Sequence, residues 1–96
     1  MNREDVLTIL RKFKRDSAER YNILKIGVFG SFARNEARGE SDVDIVFETN
    51  APNLFRTARM KQELESLLSR QVDLVRLREG MNPRLRGRID REARYA

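Results

Sequence analysis

The hydrophobic and polar positions of this chain change their period along its length, and each change predicts a new element. Residues 4–20 are predicted to form an amphipathic helix, because lysines and arginines fill one of its sides. The apolar residues at helical spacing on its other side are Val6, Leu7, Ile9, Leu10 and Phe13. A mostly apolar run from Ile23 to Phe29, interrupted by Lys25, then predicts a first strand. Gly27 within that strand leaves room for another backbone or a ligand to come close.

Two further strands and two further long helices are predicted downstream. The strands are Val43–Phe47 and Gln71–Leu77. A helix runs between them from Leu54 to about Ser69, with Asn53 as its N-cap. Its predicted apolar side consists of Leu54, Ala58, Leu64, Leu67 and Leu68. A last helix begins at Pro83, which suits a first helical turn. Its predicted buried side consists of Leu85, Ile89 and Ala93.

The stretch that carries candidate chemistry joins the first two strands. The first strand ends in Gly30-Ser31, a short helix is predicted around Phe32–Glu36, and Asp42-Val43-Asp44 opens the second strand. Backbone N–H groups at such a turn, together with the Ser31 hydroxyl, suit a phosphate. Residues two apart on a strand project to one face, so the two carboxylates are expected side by side. They repel each other unless a cation lies between them, and a pair of Mg²⁺ ions is the usual partner in phosphoryl and nucleotidyl transfer.

A third carboxylate interrupts the last apolar strand. Asp73 lies between Val72 and Leu74, where a charged side chain is costly unless it is solvated or paired. Taken alone, Asp73 is best interpreted as lying at a solvated strand end or as forming an ion pair with an arginine. Beside an Asp-x-Asp strand, the functional interpretation is favoured, in which sheet pairing brings Asp73 next to Asp42 and Asp44.

Composition narrows the chemistry further. The chain of 96 residues has room for one small domain, predicted to cover residues 1–96, and contains neither cysteine nor histidine. Structural zinc sites, thiol nucleophiles and Ser–His catalysis are therefore excluded, and acid–base work falls to carboxylates, lysine or tyrosine.

Charge and hydropathy bear on partners and location. The formal net charge is +5, and the basic surplus is concentrated in the arginine-rich residues 76–96. That surface could meet nucleic acid, an acidic protein or only solvent, and nucleic acid is not favoured because aromatic residues are scarce there. Nothing resembles a signal peptide or a membrane span, so no membrane partner and a cytoplasmic location are expected.

These motifs are similar to those of a known family. Gly30-Ser31, ten residues, then Asp42-Val43-Asp44 resembles the minimal nucleotidyltransferases of the DNA polymerase beta superfamily, above all the MNT-type antitoxins that pair with HEPN-domain toxins. The likeness extends over nearly the whole chain. It includes the leading helix, Asp73 within its apolar strand, and a closing segment over residues 82–96 that contains a proline and a tyrosine.

The resemblance implies an α/β (α+β) fold of the nucleotidyltransferase type, with a small mixed sheet of three to four strands flanked by helices. It also implies two Mg²⁺ ions, ATP as substrate, and transfer of AMP to a tyrosine hydroxyl of a HEPN-domain toxin, which the modification silences. A homo-oligomer is left open.

Roles for individual residues follow from the same resemblance. Gly30 and Ser31 would hold the triphosphate, with help from Arg34. Asp42 and Asp44 would bind the metals, and Asp73 would bind the catalytic metal and help to deprotonate the attacking hydroxyl.

Three alternatives stay open. The chain could be an antitoxin that neutralises its partner by binding alone. It could be a nucleotidyltransferase that acts on the hydroxyl of a small molecule, although such enzymes usually have a second domain. It could also be a nucleic-acid binder that uses its basic C-terminal helix, in which case affinity would fall steeply with salt.

Overall fold

A computed structural model describes residues 1–96 and contains four helices and four strands that alternate along the chain. Their order is α1 (Arg3–Tyr21), β1 (Ile23–Phe29), α2 (Gly30–Ala33), β2 (Val43–Thr49), α3 (Leu54–Leu68), β3 (Val72–Arg76), α4 (Pro83–Glu92) and β4 (Arg94–Tyr95). Asparagine side chains cap the N-termini of the three long helices. Asn53 accepts a hydrogen bond from the N–H of Arg56 at 2.9 Å, as its predicted role as an N-cap requires. None of the helices combines the length and the apolar character that a membrane crossing requires.

The four strands form one mixed sheet in the order β3-β2-β1-β4. β1 pairs antiparallel with both β2 and β4, while β2 pairs parallel with β3. This confirms the predicted class, a small mixed sheet flanked by helices. The fourth strand was not predicted individually, because two residues carry no periodicity. Gly27 makes room for it, since a Cβ at Gly27 would lie 2.5 Å from the carbonyl oxygen of Arg94.

The two faces of the sheet are covered unequally. Val43 and Ile45 point into the main core beneath α1 and α3. Val46 points to the opposite face and packs with Phe29 and Ile89, the last of which comes from α4. Because side chains alternate along a strand, Asp44 shares a face with Val46. The acidic residue therefore lies on the face that α4 covers.

The predicted buried side of α3 is partly wrong. Leu64 and Leu68 are buried, together with Met60, but Leu54, Ala58 and Leu67 are exposed. At about 100° per residue, the buried residues at spacing four form one stripe, and Ala58 lies about 160° away from Met60. Leu54 is 87% exposed and its neighbour Phe55 is 88% exposed. The apolar residues at the start of this helix thus face away from the core.

The short helix after β1 also differs from its predicted range of 32–36. It spans Gly30–Ala33 and begins at the glycine itself. Asn35 has a φ of +57°, in the left-handed region, which a continuing α-helix does not use. The predicted turn into a helix exists, but the left-handed asparagine ends the helix earlier.

Candidate active site

Two carboxylates face each other across the parallel strand pair. Asp44 of β2 is the register partner of Asp73 of β3. Val75, two residues after Asp73, packs with the smaller core beneath α4, so Asp73 lies on the same face as Asp44. The sheet therefore places Asp73 beside Asp44, as predicted.

Asp42 lies just outside the sheet. It precedes the first residue of β2 and its side chain is exposed. Asp42 and Asp73 both line an open cavity of about 720 Å³ at the edge of the sheet. The cavity is otherwise lined by Lys61, Glu65, Ser69, Arg70, Gln71 and Val72. Asp73 thus pairs with Asp44 across the two strands and also lines the cavity together with Asp42.

The three carboxylates do not form a single ligand group. No three acidic side chains of the chain lie close enough together to ligate one ion as a group. The donor chemistry nevertheless fits a hard cation, because all the candidate ligands are carboxylate oxygens, the donors that Mg²⁺ takes. The chemistry of these residues therefore suits Mg²⁺.

Burial and the neighbouring charges both act on Asp44. Burial is the first cause that raises the pKa of Asp44 above its ordinary value, and the negative charge of Asp73 is the second. The charge of Asp42 also raises this pKa, while Arg88 and Arg34 lower it. Without a cation, the site therefore disfavours the charged form of its most buried acid.

The Gly-Ser turn is in contact with this acidic pair. Gly30 has a φ of +72°, which L side chains rarely adopt. A Cβ at this position would collide with Oδ2 of Asp44. Only glycine satisfies both the backbone conformation and the close approach, so the turn and the first carboxylate of the strand pair form one site.

Glu92, which sequence reasoning missed, accepts a hydrogen bond from a backbone N–H of the turn. Oε1 of Glu92, at the end of α4, accepts a hydrogen bond from the N–H of Gly30 at 3.1 Å. The same oxygen accepts one from Nη1 of Arg34 at 2.9 Å. The hydroxyl of Ser31 makes no hydrogen bond within the chain. Nothing in the sequence pattern links Glu92 to a glycine 62 positions earlier.

The loop between the turn and Asp42 is held by Arg70, which sequence reasoning also missed. Nη1 of Arg70 donates to the carbonyl oxygens of Gly39 and Ser41. Its guanidinium carbon lies 5.2 Å from the ring centroid of Phe32. Arg70 therefore ties the end of α3 to both ends of the segment that joins the turn to the carboxylates.

Known proteins share this sequence and fold. Residues 10–96 match the family described as the nucleotidyltransferase domain. The chain is 41% identical over 73 residues to the protein adenylyltransferase MntA of Thermococcus cleftensis, an alignment that covers 75% of this chain and 74% of that protein. A solved structure provisionally described as a minimal nucleotidyltransferase superposes with a TM-score of 0.77 at 38% identity, over 98% of this chain and 95% of the other.

A more distant likeness concerns the fold alone. The complex of a tri-AMPylated HEPN toxin with an MNT antitoxin from Shewanella oneidensis contains a chain that superposes with a TM-score of 0.71 at 22% identity, over 97% of this chain and 70% of that one. The four-stranded mixed sheet flanked by helices agrees with the fold implied by the resemblance. The chain therefore belongs to the nucleotidyltransferase-domain family, as a minimal nucleotidyltransferase.

Proposed function

We propose that this nucleotidyltransferase is an antitoxin that transfers AMP from ATP to a tyrosine hydroxyl of a partner HEPN-type toxin. The observation that carries the proposal is the contact of Asp44 with the Gly30 turn, opposite Asp73 in the neighbouring strand. A relative named as a protein adenylyltransferase supports protein as the class of acceptor. The complex of an AMPylated HEPN toxin with an MNT antitoxin supports the kind of partner.

Two Mg²⁺ ions are proposed to be held by Asp42, Asp44 and Asp73. The raised pKa of Asp44 supports this assignment, because part of the rise comes from acids that a bound cation would neutralise. When bound, the ions would offset the negative charge of the attacking and departing oxygens. Asp73 lies beside Asp44 and also lines the open cavity, which supports its proposed role in deprotonating the hydroxyl of the acceptor.

The triphosphate is proposed to lie against Gly30, Ser31 and Arg34. The N–H of Gly30 is already used by Glu92, so the contribution of Gly30 is the open space left by its missing side chain. Ser31 offers a hydroxyl without an internal partner. Arg34 uses Nε and Nη1 for Glu36 and Glu92, which leaves Nη2 to donate to phosphate.

The reaction needs no covalent intermediate with the protein. The tyrosine oxygen forms a bond to the α-phosphorus of ATP, and the bond from that phosphorus to the bridging oxygen of pyrophosphate breaks. The hydroxyl proton leaves to a carboxylate, for which Asp73 is proposed because it is the exposed member of the strand pair. Positioning and charge stabilisation supply the remaining acceleration. The absence of cysteine and histidine from the chain agrees with this direct transfer.

The test is an intact-mass measurement. A HEPN-type toxin is incubated with ATP, Mg²⁺ and either the wild type or Asp42→Ala. The proposal predicts one or more added AMP units on the partner with the wild type and none with the variant, and peptide mapping places them on tyrosine. An unmodified partner, in a preparation that binds ATP, contradicts it.

A second candidate function is neutralisation by binding alone. It is favoured by one observation, that no three acidic side chains lie close enough together to ligate one ion. The same Asp42→Ala variant separates the two functions. A pure binder neutralises the partner as well with the variant as with the wild type.

A further inference from the structure

Glu92 lies where the C-terminal helix meets the candidate phosphate site. Its side chain is 18% exposed, and one carboxylate oxygen joins the backbone of Gly30 to the side chain of Arg34. No other side chain forms a hydrogen bond between the turn after β1 and the end of α4. This carboxylate is therefore the hydrogen-bonded link between two segments that are far apart in sequence.

The link fixes the direction of the Arg34 guanidinium. Oε2 of Glu36 accepts from Nε at 3.3 Å, and Oε1 of Glu92 accepts from Nη1 at 2.9 Å. Two carboxylates thus hold two of the three guanidinium nitrogens. Nη2 remains without a partner in the chain. Since a guanidinium is planar, fixing two of its nitrogens also fixes the direction of the third.

Glu92 is itself held in place on both sides. Ile89, one turn earlier, is buried with Phe29 beneath the helix. Immediately after Glu92, the N–H of Ala93 donates to the carbonyl oxygen of Ile89 at 2.9 Å. The chain then joins the sheet as β4, and the N–H of Ala96 donates to Ile26 at 2.8 Å. A carboxylate anchored between a packed helix and a strand can restrain a mobile arginine.

The same helix also supplies a positive charge near the acids. The guanidinium carbon of Arg88 lies 5.8 Å from the ring centroid of Phe29, whose register partner is Asp44. Arg88 precedes Glu92 by four residues, so both project from one side of α4. The helix thus places a cation by the carboxylates and an anion by the phosphate donors.

From these contacts we infer that Glu92 is a positioning residue of the nucleotide site. It holds the Gly30 turn and Arg34 so that Ser31 and Nη2 of Arg34 meet the triphosphate, and this inference rests on the proposed function. The closing helix is then a structural part of the nucleotide site. The opposite role, in which the carboxylate competes with phosphate for the same donors, predicts the reverse effect on affinity.

Binding of Mg²⁺ with the non-hydrolysable analogue AMP-PNP tests the inference by calorimetry. Glu92→Ala is expected to weaken binding about tenfold, the loss that corresponds to one charge-assisted hydrogen bond. Glu92→Gln retains an acceptor for the N–H of Gly30 and is expected to lie between Glu92→Ala and the wild type. Asp90→Ala is the matched control, since Asp90 is an exposed acid of the same helix that pairs only with Arg86. It is expected to bind as the wild type does.

A double-mutant cycle with Arg34→Ala separates positioning from simple loss of structure. If Glu92 acts through Arg34, Glu92→Ala adds little to the loss of affinity that Arg34→Ala already causes. In the transfer reaction, Glu92→Gln is expected to raise KM for ATP more than it lowers kcat. Additive losses in the cycle overturn the inference, as does unchanged or tighter binding by Glu92→Gln.

The two proposals fail in different ways. A wild type that binds AMP-PNP and modifies the partner, with Glu92 variants that bind equally well, overturns only the positioning role. A wild type that does not bind AMP-PNP overturns both.

Discussion

Asp73 is the register partner of Asp44 across the parallel strands β2 and β3, on the face of the sheet that α4 covers only in part. The main core lies on the other face, beneath α1 and α3. The acids therefore lie where the covered part of this face ends, with Asp44 half-buried and Asp73 exposed. Their mutual repulsion costs stability, and a cation bound as proposed would offset that cost, so the proposed site can be tested through stability as well as activity.

The first prediction concerns Asp44→Asn. The pKa of Asp44 is raised from its ordinary value of 3.8, so the folded chain favours the protonated form. The stability that this form contributes is complete below the unfolded pKa and is lost as pH rises through the folded pKa. At pH 7 the wild type carries the cost of the charged acid, and Asp44→Asn is expected to melt at or above the wild type without Mg²⁺. The difference is expected to vanish below about pH 4.

Calorimetry with and without Mg²⁺ completes this test. The wild type is expected to gain more stability from the ion than Asp44→Asn does, because the variant has one carboxylate fewer. Asp90→Asn, which removes an exposed acid paired with Arg86, is the control and should respond to Mg²⁺ as the wild type does. Equal Mg²⁺ responses in the wild type and Asp44→Asn would refute the assignment.

The second prediction separates two demands on Gly30. Gly30→Ala strains a φ of +72° and also collides with Asp44, whereas Gly80→Ala strains a φ of +79° with nothing within 4 Å. The conformational strain of each is about 1–2 kcal/mol. Gly30→Ala is expected to lose more free energy of unfolding than Gly80→Ala in urea titrations, and to lose AMP-PNP binding as well. Equal losses of stability and retained binding would show that the contact with Asp44 is not needed.

The third prediction checks the corrected core face of α3. Leu64 is fully buried, and Leu64→Ala is expected to cost about 2–5 kcal/mol of unfolding free energy. Leu54 is 87% exposed, so Leu54→Ala is expected to stay within about 0.5 kcal/mol of the wild type. Urea denaturation of the two variants measures both values. A large loss for Leu54→Ala would mean that the start of the helix packs on the core after all.

The fourth prediction concerns stability at alkaline pH. Burial, then the hydrogen bond to Glu63, raises the pKa of Tyr21 from 10.0 to about 12. The stability that this tyrosine contributes is therefore complete below about pH 10 and lost as pH rises towards 12. Tyr21→Phe cannot ionise, so it is expected to lose less stability than the wild type between pH 9 and about pH 11.5. Parallel losses in the two proteins across that interval would contradict the raised pKa.

Much of the site could be predicted from the sequence because its signals are local. Gly30-Ser31 and Asp42-Val43-Asp44 lie within one strand–turn–strand unit, and their spacing is readable directly. Asp73 could be paired with them because an apolar strand rarely contains an acid that has neither a partner nor access to solvent. The apolar periods also predicted α1 and three of the four strands.

The rest depends on contacts that no local pattern encodes. Glu92 and Arg70 reach the turn and its loop from distant helices, and their pairing is settled only by how those helices pack. The exposed side of α3 was misjudged because Leu54 and Ala58 form an apolar stripe of their own, and the sequence does not say which stripe meets the sheet. β4 is too short to show any period.

The most direct test of the proposed reaction is the rate of AMP transfer to a HEPN-type toxin, followed by intact mass, for the wild type, Asp44→Asn and Asp90→Asn. Asp44→Asn is expected to lower the rate by about a hundredfold or more, because the variant loses charge stabilisation at the reacting phosphate. Asp90→Asn, which alters an exposed acid of α4 away from the site, should transfer AMP at the wild-type rate. Transfer by Asp44→Asn at the wild-type rate would contradict the claim that the paired carboxylates carry the reaction.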